Sequence, residues 1–309
     1  MTFYHKGIFS ALGSGLFWGL GTSLTGWAML LVPFVTGDSR LVAPALLFAF
    51  FHDSSSAIWL TLDQIIRGEW KQTLRILNTS SVKFVMLGSI FGGPIGMIAS
   101  LYAIHVIGAG YAASISALYP VLAAILGSIF LKDKLKKQGW IGLLLSVIAI
   151  ILLGYSQLST LDTNAIWGFI AACVCMLGWA IESVVCAYGM KEEITPKQAL
   201  VIRQWTSSCV YLLIIALQGN LLFNISSVIT SQAVWIIALI ALVGTLSYLC
   251  YYVAIAMIGP VRATGINVTY SLWAVIFGVL LFGEMLDWKL LVCGILIITG
   301  TSLVATESE

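Results

Sequence analysis

Charge is what this chain has least of. Asp, Glu, Lys and Arg make up 9% of its 309 residues and 60% are apolar, whereas an ordinary soluble domain carries about 25% charged residues. A water-facing surface cannot be assembled from so few polar groups. The chain also lacks a nucleophile elbow, a P-loop, a Gly-rich nucleotide fingerprint and any His cluster, so catalysis, nucleotide binding and a metal centre have no residues to rest on. Its six cysteines, Cys173, Cys175, Cys186, Cys209, Cys250 and Cys293, are scattered inside apolar blocks without metal-ligand spacing and read as small packing residues. No cofactor and no nucleic-acid partner is expected.

What is present is apolar length. Blocks near the ~20 residues that cross a hydrocarbon core alternate with short polar stretches. The predicted spans are 7–32, 41–63, 83–105, 109–131, 139–156, 165–189, 198–217, 232–257, 261–282 and 287–305. The first of these is too long for a signal-peptide core and has no clear cleavage site, so it is expected to stay as a span. With the N-terminus in the cytoplasm, every Lys and Arg except Arg40, Lys289 and Arg203 falls in an inner loop or tail. That bias predicts two cytoplasmic termini in a multi-pass protein surrounded by membrane lipid.

Spans 3–4 superpose on spans 8–9 at a fixed offset of 151 residues, matching Gly108 with Gly259, Ala112 with Ala263, Tyr119 with Tyr270, Ala123 with Ala274, Gly127 with Gly278 and Asp133 with Glu284. Trp18 in Phe-Trp-Gly likewise resembles Trp179 in Gly-Trp-Ala. The fold class predicted is an all-α membrane protein of ten helices in two five-helix halves, 1–160 and 161–309. Because five is odd, the second half is inverted relative to the first, an arrangement that sets a substrate site at the midplane between halves.

A carboxylate deep in a span is costly unless it works or is partnered. Glu182 lies well inside span 6, Asp53 beside His52 lies midway along span 2, and Arg203 lies inside span 7. Glu182 stands three residues after Trp179, so the two share a helix face. A quaternary ammonium has no hydrogen to donate, so a protein holds it by opposite charge and by aromatic faces. Trp18, Trp179 and Glu182 suit that task, and Tyr248, Tyr252, Tyr270 and Trp273 are spaced to complete an aromatic box. Each of these rings has a plainer reading as packing or interfacial belt, Glu182 has one as a structural ion pair with Arg203, and Asn267 reads as interhelical packing or as a partner for a substrate hydroxyl. His52 with Asp53 is a candidate proton-handling pair, and Glu182 a second place for coupling. Gly92, Gly93, Pro94 and Gly96 predict a kink in span 3.

Several stretches, in order, resemble one transporter family: FWGLG at Trp18, HD at Asp53, GPIGM then LYA through Tyr102, SALYP at Tyr119, GWAIES at Glu182, IRQ at Arg203, SYLCYY through Tyr252 and ATGINVTYSLW through Trp273. They are similar to the EamA-like branch of the drug/metabolite transporters and, more narrowly, to LicB-type choline transporters of bacteria. The resemblance implies a multi-pass protein of the bacterial plasma membrane with an aromatic choline pocket between its halves, formed here by Trp18, Trp179, Glu182 and tyrosines of spans 8 and 9, with Tyr102 and Asn267 among the matching positions. Cys250 and Ala180 depart from the family pattern, which leaves choline, betaine and related amines open. The competing readings are an exporter of amino acids or other metabolites, with Arg203 facing a carboxylate, and a membrane receptor or assembly factor without transport.

Overall fold

The computed structural model describes residues 3–35, 44–116, 118–155, 165–191, 194–283 and 288–306, and among them every regular element is a helix. The order is α1 Phe3–Ala28, α2 Pro44–Ile66, α3 Trp70–Ile76, α4 Ser80–Ile90, a π turn Phe91–Ile95, α5 Gly96–Ser116, α6 Tyr119–Phe130 and α7 Lys137–Tyr155. Then come α8 Ala165–Gly189, α9 Pro196–Gln218, α10 Leu221–Ile229, α11 Ala233–Asn267, α12 Tyr270–Phe282 and α13 Trp288–Ala305. Local chemistry sets several of these ends. Thr195 and Gln198 exchange hydrogen bonds as a capping box ahead of α9, with Pro196 in its first turn, and α12 stops at Gly283 in the left-handed conformation, φ 69°.

Helical chain lies over each of the ten stretches read from the sequence. Among the described residues five stretches, Pro44–Ile66, Ser80–Ala103, Ile166–Gly189, Pro196–Gln218 and Ala233–Asn267, are long and apolar enough to cross a membrane. Outward faces carry exposed Ile66, Ile129, Leu213, Leu217, Trp235, Leu239 and Leu280, the pattern of a protein whose solvent is lipid. Polar groups are turned inward instead: Asp53, Glu182, Arg203, Gln204 and Asn267 are all buried. The short helices α3 and α10, in the loops after α2 and α9, were not expected from the sequence. Arg40 and Glu284, read as an outer-loop charge and as the repeat mate of Asp133, lie outside the described residues.

Three irregularities position the site. The Gly-Gly-Pro-Ile segment expected to kink span 3 forms the π turn Phe91–Ile95, with Pro94 inside it; one extra residue in the turn absorbs the backbone bond that Pro cannot make. Span 9, read as continuous, is instead broken: α11 bends at Gly259 (φ 80°, ψ 161°) ahead of Pro260, runs on to Asn267 and stops, and α12 restarts at Tyr270. Span 4, also read as continuous, is interrupted at the matching place, with α5 ending at Ser116 and α6 starting at Tyr119. Tyr119 and Tyr270, which pair at the offset of 151, each open the second piece of a broken helix.

α1 packs along α11 and α12, and α8 packs along α4, the π turn, α5 and α6. Glycines make both approaches close. A side chain on Gly19 would strike the backbone of Tyr270 and Ala274, and one on Gly178 would strike the Phe91 carbonyl in the π turn. Trp18 follows directly before Gly19 and Trp179 directly after Gly178, so each indole is set where a helix makes its closest contact.

Candidate functional site

Between these helices is a small cavity lined by Ser14 and Trp18 of α1, Tyr119 of α6, Trp179 and Glu182 of α8, Ser247, Tyr248, Tyr251 and Asn267 of α11, and Tyr270 of α12. Trp18 is the hub of its aromatic wall. Its ring centroid lies 5.1 Å from Tyr248, 6.3 Å from Tyr270 and 6.4 Å from Trp179, all edge-to-face, and Trp179 lies 5.8 Å from Tyr119 in the same manner. Edge-to-face pairs aim positive ring edges at neighbouring rings. A π face left uncovered in such a wall is the surface that can attract a cation.

Among the described lining residues the one acid is Glu182, and it is not free. Its Oε1 accepts from Arg203 Nε at 2.9 Å and lies 3.3 Å from the Tyr252 hydroxyl. Arg203, 1% exposed, also donates through Nη1 to Asp53 Oδ2 at 2.8 Å and to Gln204 Oε1 at 2.9 Å, and through Nη2 to the Tyr248 hydroxyl at 2.9 Å, with its guanidinium carbon 4.4 Å from the Tyr248 ring centroid. One guanidinium thus ties two carboxylates from α2 and α8 to a tyrosine of α11, a use that needs the planar fork of arginine. His52 Nδ1 lies 3.0 Å from Asp53 Oδ1, and its ring stacks on Phe48 and packs over Gly244. Glycine is required opposite the acid as well, since a Cβ on Gly92 would occupy the place of the Glu182 carboxylate. The π turn therefore does for Glu182 what Gly96, against the Trp179 ring, does for the indole.

A polar corner completes the wall. The Tyr119 hydroxyl donates to Asn267 Oδ1 at 2.9 Å, Asn267 Nδ2 donates to Ser14 Oγ at 2.5 Å, and the Ser247 hydroxyl donates to the Ser14 carbonyl at 2.9 Å.

The structure brings Trp18, Trp179, Glu182, Tyr248, Tyr270 and Asn267 together around one cavity. It places Tyr252, His52, Asp53 and Arg203 behind that wall, in the hydrogen-bonded layer that holds Glu182 and Tyr248. Two expected residues lie elsewhere. Tyr102 is half-exposed in an apolar groove with Ile90, Pro94, Ile98 and Ile214, because the π turn rotates the rest of span 3 and leaves this ring on an outer face. Trp273 packs its Cβ over Gly19 and its ring beside Phe277 at 6.2 Å. Neither Cys250 nor Ala180 lines the cavity. Sequence reasoning missed Tyr119, Ser14 and Ser247 as lining residues. For Tyr119 the signal was there, since it is the repeat mate of Tyr270; serines carry none. The Asp53–Arg203 bond was missed as well, since sequence cannot tell which of two acids a lone arginine meets.

Comparison with known proteins supports this architecture. The chain is 39% identical to Protein LicB of Haemophilus influenzae over 198 residues, covering 64% of this chain and 66% of that protein, just under two thirds of its length. A protein crystal structure 16% identical in sequence superposes with a TM-score of 0.65 over 95% of this chain and 98% of its own, which speaks to the fold alone. The model of the EamA-like transporter family matches in two stretches, residues 5–155 and 166–306. Together these cover nearly the whole chain, and the protein is a multi-pass membrane protein that belongs to the EamA-like transporter family.

Proposed function

We propose that this transporter is a secondary importer of a quaternary ammonium cation, choline, built from ten spans in two inverted halves with both termini in the cytoplasm of a bacterial cell. The observation that carries the substrate class is the ring set around Trp18, closed by one carboxylate and with no Lys or Arg among the described lining residues. A methylated cation loses its water shell without leaving donors unpaired, and aromatic faces supply the compensation. The two broken spans meeting at this cavity, and the two stretches matched by the family model, support an inverted repeat with its site between the halves. The choline assignment rests on the resemblance to LicB-type transporters.

An amino-acid substrate fits less well. Its carboxylate needs a cation, and Arg203 already serves Glu182, Asp53, Gln204 and Tyr248. Import of a cation is driven by the inside-negative potential, about 2.3 kcal/mol per charge per 100 mV. The Asp53–Arg203–Glu182 cluster, with His52 at its edge, is the proposed seat of proton coupling. The test is growth and labelled-choline uptake at low external choline in cells lacking their own importer. Expression of this chain restores both, and failure of the well-expressed protein to restore either rejects the assignment.

A further inference from the structure

We infer that the corner formed by Ser14, Asn267 and Tyr119 reads a hydroxyl on the substrate, so that the cavity selects hydroxyl-bearing quaternary amines over bare ones and rejects those carrying a carboxylate. This rests on the quaternary-ammonium reading of the same cavity and adds what the aromatic wall cannot decide. Rings hold a trimethylammonium head without regard to what is attached to it. The attached group is judged by whatever polar surface lies beside the rings, and Tyr119 belongs to both: its ring stands 5.8 Å from Trp179 and its hydroxyl bonds Asn267 at 2.9 Å.

Hydrogen-bonding capacity is left over there. An asparagine amide has two N–H donors and two carbonyl lone pairs, and Asn267 spends one of each on Ser14 and Tyr119. Ser14 Oγ accepts from Asn267 and keeps its own hydrogen. A substrate hydroxyl, donor and acceptor at once, satisfies this surface. A methyl group leaves it unpaired, which costs affinity because buried polar groups lose their water. A carboxylate accepts only, brings a charge with no Lys or Arg among the described lining residues to meet it, and shares the cavity with Glu182. The corner stands where α11 stops at Asn267 and α6 starts at Tyr119, and interrupted spans are where polar groups reach a substrate at bilayer depth.

The experiment is competition binding on the purified full-length protein with choline, tetramethylammonium and betaine, in the parent, Asn267→Ala and Tyr119→Phe. The parent is expected to bind choline about tenfold more tightly than tetramethylammonium, the worth of one net hydrogen bond, and betaine at least tenfold more weakly than tetramethylammonium. In either variant the choline-to-tetramethylammonium ratio falls toward one; Tyr119→Phe, which keeps the ring, carries the test should Asn267→Ala not fold. Equal affinity of the parent for choline and tetramethylammonium, betaine binding as well as choline, or an unchanged ratio in folded variants overturns the hydroxyl corner and leaves the aromatic site standing. A parent that binds none of the three ligands overturns both.

Discussion

Replacing Trp18 with Ala removes the ring that three other rings touch, Tyr248 at 5.1 Å, Tyr270 at 6.3 Å and Trp179 at 6.4 Å. For the substrate, the loss is one desolvated cation–aromatic contact of about 2 kcal/mol, which at 1.4 kcal/mol per tenfold weakens choline binding about 30-fold. For the fold, the loss of three edge-to-face pairs at about 0.5–1.5 kcal/mol each lowers stability by about 1.5–4.5 kcal/mol. The two effects are separated by measuring affinity calorimetrically on monodisperse protein below its melting transition, and by including Trp18→Phe. Phenylalanine keeps a π face and restores part of the affinity. Wild-type choline affinity in folded Trp18→Ala would falsify the placement of Trp18 in the site, and an equal loss in Trp18→Phe and Trp18→Ala would assign it a packing role only.

Arg203→Met leaves Asp53 and Glu182 buried without their cation and should destabilise the protein by about 3–5 kcal/mol, seen as a large drop in melting temperature in detergent. Arg203→Lys should recover little of it, because a single ammonium cannot reach Glu182, Asp53, Gln204 and Tyr248 together; full recovery would refute the role given to the guanidinium fork. Glu182→Gln keeps an acceptor for Arg203 Nε but removes the charge. Lowered choline affinity at every pH marks Glu182 as the substrate's counter-ion, retained exchange with lost uphill uptake marks it as the coupling group, and no change in either makes it a structural partner of Arg203. Gly92→Ala places a methyl where the Glu182 carboxylate sits, so choline uptake should fall at least tenfold although no cage residue is altered; normal uptake in the folded variant would contradict that position for the acid.

Much of this was legible from the sequence because lipid reverses the usual economy of polar groups. In a chain with 9% charge, each buried carboxylate stands out, and Glu182 and Asp53 were found by depth alone. Trp18 and Trp179 were found by their shared small-residue context, and the structure sets them 6.4 Å apart. The misses have physical reasons. The break in span 9 carries no proline at Val268–Thr269, so periodicity ran straight through it, whereas Pro120 in the first turn of α6 did mark the break in span 4 and was passed over. Tyr102 came in with the family resemblance and Trp273 by its spacing from Tyr270, but the π turn shifts the face of span 3, and α1 takes Trp273 for its own packing against Gly19. Ser14 and Ser247 look like packing residues in any membrane helix; only the bond Ser14 Oγ accepts from Asn267 and the one Ser247 donates to the Ser14 carbonyl set them apart.

The central claim is transport of a methylated cation through the Trp18 cavity, and uptake of labelled choline into proteoliposomes with an imposed inside-negative potential tests it most directly. The account predicts accumulation that rises with the potential, is competed by excess tetramethylammonium, and is untouched by glycine or leucine. Accumulation indifferent to the potential, or displacement of choline by glycine or leucine as effective as by unlabelled choline, contradicts it.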